Sequence, residues 1–414
     1  MTTLSRRFSA FSGYLIVLLL SAYPLSVAAQ SRPIRLEITK TEIDPVVHAL
    51  CHKEVALLGE APIHGLGNTL QFKAELVHRL IDECHYEALF MESGLYDYIH
   101  IERELRAGQG VTEPTISAAI GGIWATEEVQ TLVPFLRRRM LAGRLTLGGL
   151  DDQLGAGTYA SRQMAPDLVQ TLTGDIRSRC LGILQKRLLW QYTSDAPYSP
   201  TDKQEVIGCL NTSEKSLETA GNTIANSESK AMVASLERSV ERDFAADDHT
   251  KQDQRIAAFN ARDWSMYLNY KWLVAQQSPH RKVIIWASTV HTAKRLSDVE
   301  GLQGMIPFGS YIQENSSGKT FSLGFSAYSG EYAFTHQPVR RLSDAPVSSL
   351  EAQLFARGDS DAVFLSREQL RTYGAVPARP LGADFKTANW DQVVDGLVVF
   401  RAEHAPAWIL SPGS

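Results

Sequence analysis

Four apolar segments of this chain are each followed directly by acidic or imidazole side chains. The first, Val55–Gly59, runs into a turn that contains Glu60 and His64. A short apolar run bounded by Gly and Pro predicts a buried parallel strand that enters a tight turn. In open α/β sheets the ligand crevice lies at the carboxyl ends of the strands. The other three segments end in the same way, with Glu92, with Asp151 and Asp152, and with Ser288 and His291.

The order of the predicted elements favours an α/β fold with a mostly parallel, mixed sheet flanked by helices. From about residue 166 to 275 strand signals vanish and apolar residues recur at three-to-four spacing, which predicts a large helical insertion. Elsewhere predicted strands cover residues 55–59, 88–91, 145–150, 283–287, 321–325 and 396–401, and predicted helices cover 70–84, 96–107 and 126–141.

The first 29 residues have the three-part pattern of a secretory signal peptide. Arg6 and Arg7 are basic, Leu15–Leu20 is apolar, and Val27–Ala29 resembles a small-residue cleavage site. The apolar stretch is too short to span a bilayer comfortably. We therefore expect a secreted or periplasmic protein with one mature domain, residues 30–414, and no stable membrane association; a retained N-terminal anchor is the alternative.

The charge distribution bears on the partners of the protein. Removal of the signal segment, with its two arginines, takes the formal net charge from -5 to -7. The remaining chain has no basic stripe, so nucleic acid is not an expected partner. The sequence gives no indication of the oligomeric state.

The four cysteines are typical of an oxidising compartment. Their positions relative to the predicted elements favour a Cys51–Cys84 pair at the sheet edge opposite the site, and a Cys180–Cys209 pair in the helical region. This is one of three connectivities, and four unpaired buried thiols remain the alternative.

Two common catalytic motifs and one metal-binding pattern are missing from the sequence. The chain has neither the G-x-S-x-G motif of serine hydrolases nor the H-E-x-x-H motif of zinc peptidases. It also has no cysteine pair at the spacing of a zinc site. An ordinary serine hydrolase or structural zinc protein is therefore not favoured.

The residues at the strand ends resemble the erythromycin esterase family. The turn Gly59–Gly65 is similar to the Gly-Glu-Ala-Thr-His-Gly turn of that family, with one additional residue. The resemblance runs in order from about Val55 to Arg401, and it implies a metal-independent hydrolase of an ester or lactone with a possible link to the antibiotic response. The further matching motifs are Glu92, Trp124 with Thr126–Glu128, Asp151, Arg262–Asp263 and Trp286–His291.

The chain departs from the family pattern at two positions besides the longer turn. Ser288 stands where the family has the first of two paired histidines, and Lys73 stands where it has an arginine. These differences concern the particular substrate more than the fold. We expect a small-molecule ester or lactone that need not be a macrolide.

The residue types suggest a division of roles within the site. His64 is the predicted general base, because imidazole titrates near neutral pH, and Glu60 and Glu92 would tune it. His291 or Arg262 would stabilise the tetrahedral oxyanion. The predicted substrate-binding residues are Trp124, Glu127, Asp151, Lys73 and Ser288.

Structural roles are the alternative for several of these residues. Glu60 could cap a helix, and Glu92 could form an ion pair with Lys73 or Arg262, since an unpaired buried carboxylate is costly. Arg262 could equally be the partner of Asp151.

Two other functions stay open on the sequence alone. Glu60, His64, Glu92 and His291 are good ligands for a divalent metal ion, which would make the protein a metal-dependent hydrolase or peptidase. Otherwise no cofactor is expected. The second alternative is a ligand-binding protein with a degenerate catalytic centre, which the serine and lysine departures favour.

Overall fold

The computed structural model describes residues 38–244, 251–278, 280–316, 318–335, 337–356, 358 and 360–409, so the predicted signal peptide lies outside the described residues. The strands are β1 Val55–Leu58, β2 Tyr86–Gly94, β3 Thr146–Asp151, β4 Lys282–Trp286, β5 Thr320–Tyr332, β6 Arg340–Arg341, β7 Ala362–Ser366, β8 Ala375–Ala378, β9 Lys386–Asn389 and β10 Gly396–Glu403. The α-helices are α1 Lys40–Cys51, α2 Gly67–Cys84, α3 Leu95–Arg106, α4 Glu113–Ile120, α5 Glu127–Gln130, α6 Val133–Leu141, α7 Tyr159–Arg162, α8 Ala165–Leu168, α9 Gly174–Leu188, α10 Pro200–Thr219, α11 Ile224–Glu241, α12 Gln252–Ala275, α13 Thr289–Thr292, α14 Phe308–Asn315, α15 Leu350–Phe355, α16 Arg367–Tyr373 and α17 Trp390–Val393.

The central sheet is mixed and mostly parallel. Its strand order is β3-β2-β4-β1-β5-β10-β7, with β6 paired to β5. The β10–β7 and β5–β6 pairs are antiparallel, and the other neighbours are parallel. β8 and β9 form a separate two-stranded sheet. The fold class predicted from the sequence is confirmed.

The inner strands are apolar on both faces because helices cover both sides of the sheet. In β1, Ala56 and Leu58 belong to one hydrophobic cluster, whereas Val55 and Leu57 belong to the cluster on the other side. This two-sided burial explains why the strands appear in the sequence as continuous apolar runs.

The strand register places the predicted site residues at one edge. Leu58 of β1 pairs with Trp286 of β4, and Trp286 also pairs with Met91 of β2. Gly94 of β2 pairs with Asp151 of β3. The chain continues from these positions into the acids and histidines that the sequence places after each strand.

Within the described ranges, the chain between β3 and β4 forms helices and no strand. Its last helix, α12, lies against the sheet, where the Asn269 side-chain amide donates to the carbonyl oxygen of Leu150 at 2.8 Å. Near the end of α11, Arg242 forms an ion pair with Asp152, which follows β3. The helical region is therefore attached to the sheet at the edge where the predicted site lies.

The cysteines are paired as predicted, Cys51 with Cys84 and Cys180 with Cys209. The first bond joins the ends of α1 and α2, next to the amino ends of β1 and β2. The two disulfides indicate folding in an oxidising compartment. No helix in the described part of the chain is long and apolar enough to cross a bilayer.

Loss of the first disulfide should destabilise the fold. The cysteines are 33 residues apart in sequence, so the bond restricts a long loop of the unfolded chain. We expect the double variant Cys51→Ser/Cys84→Ser to have a free energy of unfolding about 2–4 kcal/mol lower than the wild type. Urea denaturation under non-reducing conditions measures this. Peptide mapping that finds either cysteine unpaired in the wild type would contradict the premise.

Candidate active site

The turn after β1 is fixed by two glycines that pack against other backbone segments. A Cβ atom on Gly59 would lie 2.6 Å from Thr289 Oγ1, and one on Gly65 would lie 1.9 Å from the carbonyl oxygen of Ala333. Between them, His64 has a left-handed backbone with φ 48°, and its N–H donates to the Ala61 carbonyl at 3.0 Å. Such strain persists where the surrounding structure imposes it, as at many functional sites.

Glu60 lies at the centre of the first group of contacts. Its Oε1 accepts hydrogen bonds from Trp124 Nε1 at 2.6 Å and from His64 Nδ1 at 2.8 Å, and its Oε2 lies 3.2 Å from Lys73 Nζ. Burial alone would raise the pKa of Glu60, but Lys73, His64 and Trp124 outweigh it and lower the pKa. Because a carboxylate only accepts, Nδ1 carries a ring proton, and in the neutral ring Nε2 then holds the lone pair.

Lys73 links this group to the second carboxylate of the site. The side chain is fully buried, and its Nζ lies 4.3 Å from the ring centroid of Trp286. Burial lowers the pKa of Lys73 to about 8, although the charges of Glu60 and Glu92 both act to raise it. The ammonium group therefore stabilises two buried carboxylates at once.

His291 is held between two carboxylates. Its Nδ1 lies 2.8 Å from Asp263 Oδ2, and its Nε2 lies 3.2 Å from Glu92 Oε1. Burial alone would lower the pKa of His291, but Asp263 and Glu92 raise it to about 10. Nε2 lies equally close, at 3.2 Å, to Arg262 Nη1, but the raised pKa places a proton on both ring nitrogens at neutral pH, so His291 has no lone pair for base catalysis.

Glu92 also binds Arg262 and the end of β4. Its Oε1 accepts from Arg262 Nη2 at 3.0 Å, and its Oε2 accepts from the Ser288 backbone N–H at 2.8 Å. Burial alone would raise the pKa of Glu92, but His291 and Arg262 hold it well below its ordinary value. The arginine pairs with Asp151 as well, through Nη2 at 2.5 Å and Nε at 3.2 Å.

The sequence also matches the model of a known protein family. The model of the erythromycin esterase family matches residues 81–402, well over half of the chain. This protein belongs to the erythromycin esterase family. The matched region contains Glu92, Arg262 and His291, whereas Glu60 and His64 precede it.

Three proteins similar to this erythromycin esterase family member differ from it widely in sequence. The Bacillus subtilis (strain 168) protein named "Putative hydrolase YbfO" is 24% identical over 342 residues, which cover 76% of this chain and 74% of that protein. A Bacillus cereus protein of known crystal structure superposes with a TM-score of 0.68 at 16% identity, covering 90% of this chain and 94% of that one. A mutant of the erythromycin esterase EreC in its open conformation superposes with a TM-score of 0.65 at 13% identity. The match covers 90% of this chain and 96% of that one. At these identities the solved structures support the fold alone.

Most of the predicted site residues meet at this sheet edge, in two groups that Lys73 links. The side chain of Glu127 is exposed on α5, whereas that of the adjacent Glu128 is buried. The residues that meet are Glu60, His64, Lys73, Trp124, Glu92, Asp151, Arg262, Ser288 and His291.

The predicted substrate-binding residues differ in what they offer a ligand. Trp124 and Lys73 are fully buried and engaged with Glu60. Ser288 is also buried, yet its Oγ has no hydrogen-bond partner among the described residues. This hydroxyl is thus available to a water molecule or a substrate group. Substrate binding by all five residues stays a prediction.

Two residues that hold His291 were given no role from the sequence. Asp263 binds its Nδ1 and also accepts the Phe308 N–H at 2.6 Å, which ties α12 to α14. Phe259, one helical turn earlier, stacks on the imidazole with ring centroids 5.4 Å apart. Their four-residue spacing places them on one helix face, but no local signal shows what that face meets.

The four residues named as fallback metal ligands form two separate pairs, Glu60 with His64 and Glu92 with His291. Lys73 and Arg262 bind the carboxylates of these pairs. Among the residues with described positions, no group of three or more His, Cys, Asp or Glu side chains is arranged to hold a metal ion.

Proposed function

We propose that this protein is an exported hydrolase that cleaves a carboxylic ester or lactone of a small molecule, with a water molecule activated by His64. One observation carries the proposal. The His64 imidazole is the partly exposed member of an otherwise buried pair, with 15% of its side chain accessible against 2% for Glu60. Membership of the erythromycin esterase family supports the hydrolase class.

The proposed reaction needs one base and one acid, and His64 serves as both. Nε2 of His64 takes a proton from water as the oxygen attacks the carbonyl carbon, and Glu60 stabilises the imidazolium that forms. The tetrahedral intermediate then collapses with cleavage of the carbon–oxygen bond. The departing alkoxide takes the proton from His64, which restores the neutral base.

Arg262 is the proposed donor to the oxyanion. Its Nε and Nη2 bind carboxylates, whereas Nη1 lies 3.2 Å from His291 Nε2. When His291 is an imidazolium, its Nε2 is a donor and cannot accept a hydrogen bond from Nη1. The Nη1 edge is then left for a developing negative charge, which a fixed guanidinium stabilises without rearrangement.

We propose that the reaction proceeds without a metal ion. Lys73, Arg262 and His291 already supply positive charge at the site, which is the contribution a metal would make to an oxyanion. Activity should therefore survive dialysis against EDTA followed by desalting. Loss of activity on chelation, with recovery on adding one divalent metal, would instead support the metal-dependent alternative.

The substrate class is proposed from the family and from the site together. A structural neighbour is named as an erythromycin esterase, which places a macrolide lactone among the compounds to test and suggests a link to the antibiotic response. A panel of carboxylic esters and lactones, including erythromycin, should contain at least one compound that purified protein hydrolyses. A panel without turnover, alongside ligand-induced stabilisation, would favour a binding protein.

Export is proposed from the signal-like residues 1–29 and is supported by the two disulfides. Amino-terminal sequencing of protein from the periplasm or medium should find a start near Gln30. Exported protein that still begins with Met1 would contradict cleavage.

A further inference from the structure

A cavity of about 260 Å³ lies at the amino end of β3, away from the candidate active site. Its walls come from α3, α11, α12 and the beginning of β3. Apolar side chains form much of the lining, namely Ile99, Leu147, Leu273, Ile224 and the aromatic residues Tyr98 and Trp272. Pockets for drug-sized ligands occupy about 300–1,000 Å³, so this cavity suits a smaller molecule.

Glu102 supplies an unpaired acidic group to this cavity. The residue is partly buried and makes no hydrogen bond or ion pair with the described residues. Its natural partner on the helix would be Arg106, four residues later. Arg106 instead binds Glu228, whose Oε2 also accepts a hydrogen bond from Arg103 Nε at 2.7 Å. The carboxylate of Glu102 is therefore left facing the cavity without a direct partner, and burial raises its pKa although the charges of Arg106 and Arg281 act to lower it.

The positive groups of the walls are already engaged. Arg106 is held by Glu228, and Arg281 donates to Thr146 Oγ1 at 3.2 Å and to Gln277 Oε1 at 2.9 Å. An acidic ligand would meet Glu102 and find these guanidinium groups occupied. A cationic ligand would find one unpaired carboxylate. Because burial of a carboxylate without a partner is costly, its pairing with a cation is favourable.

We propose that this cavity binds a small organic amine with an apolar body. The ammonium group pairs with Glu102, and the indole of Trp272 adds the attraction that aromatic rings exert on desolvated cations. Ile99 and Leu273 contact the apolar part. The cavity volume suits an amine with a single ring.

The proposed amine site is independent of the hydrolytic site. Thr146, at the start of β3, lines the cavity, whereas Asp151, at the end of the same strand, binds Arg262. At about 3.3 Å per residue the two positions are roughly 17 Å apart. On α12, Trp272 and Arg262 are separated by about 15 Å of helix. Changes at Glu102 should therefore leave ester hydrolysis unchanged.

Binding of 2-phenylethylamine to the mature protein tests this proposal. Isothermal titration calorimetry should detect the amine, and 2-phenylethanol, which has the same ring but no charge, should bind at least tenfold more weakly. Glu102→Gln should weaken amine binding about ten- to a hundredfold, as expected for loss of a charged hydrogen bond. Glu104→Gln, on the same helix but outside the cavity lining, is the matched control and should bind like the wild type.

Three results would overturn the amine site. They are absence of amine binding to the wild type, equal binding by Glu102→Gln, and equal affinity for the alcohol. Circular dichroism melting of both variants confirms that each is folded. None of these outcomes bears on the proposed hydrolase activity, which is measured separately with the ester panel.

Discussion

His64→Asn should lower kcat/KM by about a hundred- to ten-thousand-fold while leaving the melting temperature nearly unchanged. A positioned general base typically contributes a factor of this size, and an asparagine amide cannot take a proton from water. The amide can still donate a hydrogen bond to Glu60, so the buried carboxylate keeps a partner. Initial rates on whichever ester proves to be the substrate, together with thermal denaturation, measure both effects.

A second histidine provides the control for this experiment. His48 lies on the exposed side of α1, so His48→Asn should match the wild type in rate and in stability. If His64→Asn retains wild-type kcat/KM, His64 is not the base. Because His291 has no free lone pair in this structure, an activator of water would then have to be sought elsewhere.

His291→Asn should show its largest effect in stability rather than in chemistry. The substitution leaves Asp263 and Glu92 without their shared cation in a buried site, where loss of one member of an ion pair costs about 3–5 kcal/mol. We therefore expect the free energy of unfolding at pH 7 to fall by that amount. Guanidinium denaturation of the wild type, His291→Asn and His64→Asn in parallel measures it, and His64→Asn should stay close to the wild type.

The pH dependence of this effect follows from the pKa of His291. The folded state raises that pKa from 6.5 to about 10, so the stability contributed by the bound proton is complete below about pH 6.5. It is lost as the pH rises through 10. The difference in unfolding free energy between wild type and His291→Asn should therefore narrow from pH 6.5 to above pH 10. A difference that stays constant across this range would rule out a charged His291.

The sequence predicted the sheet, and it placed the candidate site at one edge of it, for a simple physical reason. Strands buried on both faces appear as apolar runs, and the carboxyl ends of parallel strands meet at one edge. Glu60, Glu92 and Asp151 were found in this way. This prediction requires no knowledge of contacts between elements that are distant in the sequence.

The roles of the two histidines could not be derived in the same way. Each follows an apolar strand, so position after a strand does not by itself distinguish them. What separates them is the number of carboxylates around each ring, one for His64 and two for His291. The second partner of His291 is Asp263, which reaches it from α12, and the facing surface of that helix depends on tertiary packing. The burial of Trp124 beneath His64 has the same origin.

The charged groups at this edge have a consequence for the reaction that none of them has alone. Glu60, Glu92, Asp151 and Asp263 bring four negative charges, and Lys73, Arg262 and His291 bring three positive ones. Among the described groups of this network, the resting state thus carries one excess negative charge. When the neutral ring of His64 accepts a proton, the network becomes electroneutral. In the proposed reaction the excess negative charge thus leaves the protein groups and moves with the attacking oxygen to the substrate carbonyl.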